Sequence, residues 1–102
     1  MDNDDSAGFF APPAFKPAEA LVQLKRSLRD LRGLSERGAG FEWKGNPVIQ
    51  LAATESALEV RLVKRPLRSP EWESRTVADG AQLRRFVDDV KQRVARWKDA
   101  DE

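Results

Sequence analysis

Arginine and lysine side chains are the groups in this chain best suited to binding a ligand, and they cluster in two segments. One cluster lies in a predicted helix, and the other lies at the end of a predicted strand and in the segment after it. Together they comprise Lys25, Arg26, Arg29, Arg32, Lys64, Arg65 and Arg68. Guanidinium groups donate paired hydrogen bonds to phosphate oxygens, and the lysine ammonium adds a compact positive charge. The sequence therefore predicts that these residues bind nucleic acid or another polyanion.

The formal net charge of +1 conceals an uneven distribution of charge along the chain. All 18 Lys and Arg residues lie between Lys16 and Lys98. The acidic residues outside that range are Asp2, Asp4, Asp5, Asp99, Asp101 and Glu102. A basic body with acidic ends suits an anionic partner, and the same distribution also suits a surface that only keeps the protein in solution. Composition leaves both interpretations open.

Several residue types that carry enzymatic chemistry are absent. The chain has no Cys, His or Tyr, which excludes the most common general base, thiol nucleophiles and Cys/His metal sites. Its carboxylates form no Asp-x-Asp-x-Asp-Gly calcium loop, and its glycines form no phosphate-binding loop. We therefore expect that the protein is not an enzyme and has no catalytic residues, metal site or cofactor.

The N-terminal segment offers a different way of binding. Residues 8–15 read Gly-Phe-Phe-Ala-Pro-Pro-Ala-Phe, which favours an extended, polyproline-like path. Such a segment is either a docking motif for another protein or an arm that folds back, and we expect at least Phe15 to fold back because exposed aromatic clusters are unfavourable. A protein-interaction module or homodimer that uses this arm or an open sheet face is therefore the alternative function.

The first cluster of cations lies on a predicted helix. Pro17 suits the first turn of this helix, and Gly33 suits its end. Four leucines repeat at helical spacing on the face expected to pack inside the domain: Leu21, Leu24, Leu28 and Leu31. The cations flank this face, and the only counter-charge near them on the helix surface is Asp30. We predict that this flank is the least neutralised basic surface of the protein.

A second amphipathic helix is predicted from Asp79 to Lys98. Its apolar stripe consists of Leu83, Phe86, Val87, Val90, Val94 and Trp97. Asp79 and Gln82 have the spacing of a capping box. Three ion pairs are expected on its polar face: Arg84–Asp88, Arg85–Asp89 and Asp89–Arg93. This helix is therefore predicted to anchor the domain, while ligand binding is expected elsewhere.

Alternation of apolar and polar residues predicts strands between the two helices. The predicted strands are Phe41–Lys44, Val48–Ala53, Ala57–Arg65 and Trp72–Val77. The glycine-rich stretch from Gly33 to Gly40 is predicted to be a loop. The expected fold is α+β: a two-layer sandwich of a helix, a three- or four-stranded antiparallel sheet and a second helix, in α-β-β-β-α order.

The predicted organisation is a flexible acidic and aromatic-proline arm at 1–15, a single α+β domain at 16–98 and an acidic tail at 99–102. The sequence has no apolar run long enough for a transmembrane helix, and its acidic start lacks the basic region of a signal peptide. We therefore expect a cytoplasmic protein without a membrane partner.

Two resemblances point toward nucleic acid. The α-β-β-β-α order predicted between Pro17 and Lys98 resembles that of the double-stranded RNA-binding domain, which has a basic patch at the start of its last helix. The matching positions here are Arg84 and Arg85, without the lysine cluster of that family. Trp43-Lys44-Gly45 and Phe86-Val87-Asp88-Asp89-Val90 resemble segments of the single-stranded-DNA-binding transcriptional coactivators of the positive-cofactor type. That family has strands, not a helix, ahead of this region.

Overall fold

The computed structural model describes residues 15–101, which form two helices and five strands. In chain order the elements are α1 (Pro17–Arg29), β1 (Leu34–Arg37), β2 (Gly40–Trp43), β3 (Asn46–Ala53), β4 (Leu58–Val63), β5 (Trp72–Val77) and α2 (Gly80–Asp101). The predicted α+β class is confirmed. The predictions for residues 1–14 lie outside the described residues, whereas Phe15 is half-buried and packs against the core, as expected.

The five strands form one antiparallel sheet in the order β1-β2-β3-β4-β5. The prediction of three or four strands is wrong, because β1 lies in the stretch that was predicted to be a loop. Leu34 is the only buried residue of this edge strand, so β1 lacks the apolar alternation by which strands are recognised. The five-stranded sheet also departs from the element order on which the resemblance to the double-stranded RNA-binding domain depended.

One row of paired residues crosses a face of the sheet and shows where the helices lie. It consists of Glu36, Phe41, Ile49, Leu62 and Glu73, one from each strand. The three apolar members are buried. Glu36 binds Arg29 of α1, and Glu73 binds Arg93 of α2. Both helices therefore pack on this face of the sheet.

The core fills the space between the two helices and this face. The buried residues of the helices are Ala20, Leu24 and Leu28 of α1 and Phe86, Val90, Val94 and Trp97 of α2. The apolar stripe predicted for α2 is confirmed, with Leu83 and Val87 half-buried at its margin. Because burying one large apolar side chain contributes roughly 1.5–3 kcal/mol, these residues hold both helices to the sheet.

The start of α2 has the predicted capping residues. The backbone N–H of Gln82 donates to Asp79 Oδ1 at 2.8 Å. The side chain of Gln82 reaches back one residue further than a standard capping box, and its Oε1 accepts a 2.6 Å hydrogen bond from the backbone N–H of Ala78. At its other end the helix continues beyond the predicted Lys98 to Asp101. The direction in which α2 leaves β5 is therefore fixed by Asp79 and Gln82.

Trp43 joins three parts of the fold at one end of the sheet. Its ring lies edge-to-face against that of Trp97, with 5.8 Å between the ring centroids. It also covers Gly33 so closely that a Cβ on this glycine would lie 2.1 Å from the indole. Gly33 has a φ of +99°, a conformation that side-chain-bearing residues rarely adopt. Gly33, Trp43 and Trp97 therefore hold the α1–β1 turn, β2 and the C-terminal half of α2 together.

Candidate anion-binding site

Of the four cations predicted for the first helix, Arg32 lies beyond the end of α1, and two others are bound by an acidic residue of β1. Arg29 Nε donates to Glu36 Oε1 at 2.7 Å, and Lys25 Nζ lies 3.6 Å from Glu36 Oε2. The hydrogen bond from Arg29 lowers the pKa of Glu36 and raises that of Arg29. Arg26 and Arg32 are exposed and form no ion pair with any residue between 15 and 101. The prediction that this flank is the least neutralised basic surface of the protein is therefore wrong for Lys25 and Arg29, because it considered only Asp30 on the helix surface and not Glu36 of β1.

The second cluster lies at the end of the sheet where β4 ends and β5 begins. Val63 pairs with Trp72 there, so the β4–β5 linker, residues 64–71, leaves and re-enters the sheet at this end. Arg93 Nη1 donates to the carbonyl of Val63 at 3.0 Å, and Trp97 Nε1 donates to the carbonyl of Lys64 at 3.4 Å. The C-terminal half of α2 is thus held over the start of the linker.

A cleft of about 330 Å³ lies between the linker and α2, and it is called the basic cleft below. Its lining residues are Lys64, Arg65, Arg93, Arg96, Trp97 and Ala100. Arg65 and Arg96 are exposed and form no ion pair within the described part of the chain. Lys64 Nζ lies 3.8 Å from Glu71 Oε2, a contact between largely exposed side chains. The cleft therefore presents cations that are weakly neutralised or not neutralised by described residues.

Arg93 lines the basic cleft as a structural residue. Its side chain is only 14% exposed. It donates to Glu73 Oε1 at 2.6 Å and to Asp89 Oδ1 at 3.2 Å, and Asp89 also accepts a hydrogen bond from Arg75. Burial would raise the pKa of Asp89, but the hydrogen bond from Arg75 and the charge of Arg93 outweigh it, so this pKa lies below its ordinary value. Arg93 thus has its own counter-charges.

These contacts also decide which of the predicted ion pairs on α2 form. Asp89–Arg93 is present. Arg84 and Arg85 form no ion pair with a described residue, and Asp89 binds Arg75 and Arg93 instead of Arg85. Two exposed arginines near the start of α2 therefore lie far along the helix from the basic cleft, and they serve as controls for it.

The basic cleft contains only part of the predicted set. Lys64 and Arg65 line it, and Arg68 lies exposed further along the linker. The cations of α1 are not among its lining residues. Sequence reasoning missed Arg96, although Arg93, Arg96, Trp97 and Ala100 share one helical face by their spacing. This helical face becomes part of a cleft only because the end of β4 and the start of the linker lie beside it in the folded structure.

The face of the sheet opposite the helices has a wider groove of about 500 Å³. Ala39, Gly40, Pro47 and Ala52 are among its lining residues. Charged residues of both signs surround them: Arg37 Nε lies 4.0 Å from Glu42 Oε2, and Arg61 Nη1 donates to Gln50 Oε1 at 3.0 Å. The Arg61 guanidinium also lies 5.1 Å from the centre of the half-buried Trp72 ring, whereas Trp43 is buried. This groove is balanced in charge and does not favour an anion.

A metal site requires clustered ligating side chains, and a membrane span requires a long apolar helix. Between residues 15 and 101 no group of three or more His, Cys, Asp or Glu is placed to hold a metal ion. None of the helices described has the length and apolar character to cross a membrane. Comparison with protein-family models, curated proteins and solved structures finds no match.

Proposed function

We propose that this domain is a non-catalytic binder of nucleic acid or another polyanion and that it binds through the basic cleft and the adjoining linker. One observation carries the proposal: Arg65 and Arg96 converge on a single cleft without an ion pair to any described residue. In the first cluster, by contrast, Lys25 and Arg29 share Glu36, and no described cleft brings the exposed Arg26 and Arg32 together.

The cleft also suits a polyanion physically. Hydrogen bonds from Arg93 and Trp97 fix the backbone of Val63 and Lys64, so little backbone ordering is needed when an anion binds. Arginine forks fit phosphate oxygens, and each phosphate that is neutralised releases condensed counterions, with a slope of about −0.7 to −0.9 in log K against log salt. Arg68 adds a further cation on the linker.

The test is a salt-dependent titration with labelled single- and double-stranded oligonucleotides. Affinity should fall steeply between about 50 and 200 mM salt. The double substitution Arg65→Ser/Arg68→Ser should weaken binding and flatten the salt dependence. Arg84→Ser/Arg85→Ser removes the same charge from exposed positions on α2 and should have a much smaller effect. Absence of binding at low salt, or equal losses in the two double variants, would contradict the proposal.

A second candidate function is self-association through the open face of the sheet. Glu59 and Arg61 lie two residues apart on β4 and both line the groove on this face. Two copies related by a twofold axis would bring opposite charges together there, since such an interface is self-complementary. Other residues that line the groove, among them Ala52 and Pro47, are small and exposed.

Light scattering over a range of concentrations tests this second candidate. A mass above that of the monomer, which returns to the monomer mass on Ala52→Arg, is the expected result. Substitution of the exposed Val22 on α1 by Arg is the control, because it adds the same charge outside the groove. A monomer at every concentration would remove the homodimer and leave only a heteromeric protein partner for this face.

A further inference from the structure

The basic cleft has the size of a site for one phosphate-bearing unit. Its volume of about 330 Å³ lies at the lower end of the roughly 300–1,000 Å³ typical of small-ligand pockets. A strand of several nucleotides would not fit inside it. We infer that the cleft holds a phosphate monoester, such as the terminal phosphate of a nucleic-acid strand; this inference rests on the proposed binding of polyanions.

The charge of the cleft distinguishes a terminal phosphate from an internal one. Arg65 and Arg96 have no ion pair with a described residue. Lys64 has only the contact of 3.8 Å with Glu71, and exposed pairs of this kind are weak. A phosphate monoester carries a charge of about −1.5 to −2 at pH 7, against about −1 for each phosphate inside a strand. The cationic rim therefore attracts the monoester more strongly.

The base of the cleft offers little repulsion to an anion. The carbonyl of Val63 accepts a hydrogen bond from Arg93, and that of Lys64 accepts one from Trp97. These two backbone oxygens are thus directed at protein donors. Since Arg93 is itself bound by Glu73 and Asp89, the phosphate is held by the residues at the rim.

The test compares one oligonucleotide sequence with a 5′-phosphate, with a 3′-phosphate and with hydroxyl groups at both ends. A nucleoside 5′-monophosphate, tested as a competitor, separates a strand end from a free nucleotide as the source of the phosphate. At least one of the phosphorylated strands should bind about five- to tenfold more tightly than the hydroxyl strand, as expected for one added charge-assisted contact. Arg96→Gln should abolish this preference, and Arg85→Gln on the same helix should preserve it.

The outcomes separate this inference from the function on which it rests. If all three strands bind equally and with steep salt dependence, the terminal-phosphate inference falls while polyanion binding stands. If only the mononucleotide binds, the cleft is a nucleotide-phosphate site and the nucleic-acid function falls. If no probe binds at low salt, both proposals are overturned.

The dependence of the preference on pH gives an independent readout. The second proton of a phosphate monoester is gained near pH 6, so the monoester approaches a single charge at pH 5. The chain has no His, the residue type whose charge ordinarily changes in this range. Among the described residues, the cations that line the cleft are Lys64, Arg65, Arg93 and Arg96, and the carboxylates that contact them are Glu71, Glu73 and Asp89. The preference should therefore shrink from pH 8 to pH 5, and an unchanged preference would overturn the charge argument.

Discussion

Glu36 on β1 and Glu73 on β5 stand at opposite ends of one cross-strand row, and each binds an arginine of a different helix. The two pairs differ in their environment. The side chain of Arg29, which binds Glu36, is 54% exposed, whereas that of Arg93, which binds Glu73, is 14% exposed. Solvent screens the attraction between Arg29 and Glu36 strongly and that between Arg93 and Glu73 much less. The ion pair at the β5 edge therefore contributes more to holding α2 on the sheet than the pair at the β1 edge contributes to holding α1.

Replacing Arg93 by Met should destabilise the fold more than any other charge substitution on α2. The change leaves Glu73 and the half-buried Asp89 without a cation that donates to both, and it leaves the carbonyl of Val63 without its donor. We expect a loss of about 2–3 kcal/mol in the free energy of unfolding, the scale of hydrogen bonds to charged groups. Urea denaturation followed by circular dichroism measures it. Arg29→Met is the matched control, and a loss as large in that variant would contradict the argument.

Asp89 should make stability depend on pH in the acid range. Its pKa in the folded protein is lowered, although burial opposes the shift, because Arg75 donates to it and Arg93 lies beside it. A carboxylate with a lowered pKa stabilises the fold above its unfolded value of about 4 and loses that contribution as the pH falls further. The difference in melting temperature between the unaltered protein and Asp89→Asn should thus be largest above pH 5 and shrink toward pH 3.

Asp88→Asn supplies the control for this titration. Asp88 is exposed and has no ion pair with a described residue, so its substitution should change the melting temperature little at any pH. If Asp88→Asn and Asp89→Asn gave the same pH profile, the contacts with Arg75 and Arg93 would not be the cause.

The parts of the fold that the sequence predicts correctly are those with a one-sided apolar pattern. The stripe of α2 and the alternation of β4 each fix a periodicity and a buried face. β1 was missed because an edge strand that contributes only Leu34 to the core has no such pattern. The strand becomes visible only through its pairing with β2, where Glu36 lies opposite Phe41. Whether residues 34–37 form a strand is therefore decided by their hydrogen bonds to β2 and not by their own sequence pattern.

The candidate site was harder to predict than the fold for the same reason. The sequence placed Lys64 and Arg65 at the end of a predicted strand, but Arg96 joins them only because Trp97 donates to the carbonyl of Lys64, 33 residues away in the sequence. The neutralisation of Arg29 was missed together with β1, since Glu36 is a residue of that strand. Residue spacing allows ion pairs to be predicted within one helix, whereas ion pairs between different elements depend on how those elements pack.

Gly33 should tolerate substitution less well than another glycine in the same kind of conformation. Gly33→Ala adds a Cβ that would overlap the ring of Trp43 at 2.1 Å, in addition to the strain of its φ of +99°. Gly45, with a φ of +87°, has no atom within 4 Å of the position of its Cβ. Gly45→Ala should therefore cost about 1–2 kcal/mol for the backbone alone, and Gly33→Ala a further 1–3 kcal/mol or so for overpacking. Equal losses in chemical denaturation would show that Trp43 moves aside freely.

The two predicted cation clusters should contribute unequally to polyanion binding. Arg65 and Arg68 form no ion pair within the described residues, so Arg65→Ser/Arg68→Ser should reduce the slope of log K against log salt by about 1 for each phosphate contact that is lost. Lys25 and Arg29 already share Glu36, and contacts made by these cations would first have to break that arrangement. Lys25→Ser/Arg29→Ser should therefore leave the slope nearly unchanged, although it removes the same formal charge.

Adding Glu36→Gln to the unaltered protein makes this comparison decisive. The substitution removes the shared carboxylate while it keeps the shape of the side chain, so it releases Lys25 and Arg29 to bind an anion. Because the proposed ligand binds at the basic cleft and its linker, the slope should stay nearly unchanged in this variant. A steepening that disappears when Lys25 and Arg29 are also replaced by Ser would show that the ligand reaches the α1 flank. If Lys25→Ser/Arg29→Ser alone flattened the slope as much as Arg65→Ser/Arg68→Ser, the α1 flank would be part of the binding surface despite Glu36, and the ligand would extend beyond the basic cleft.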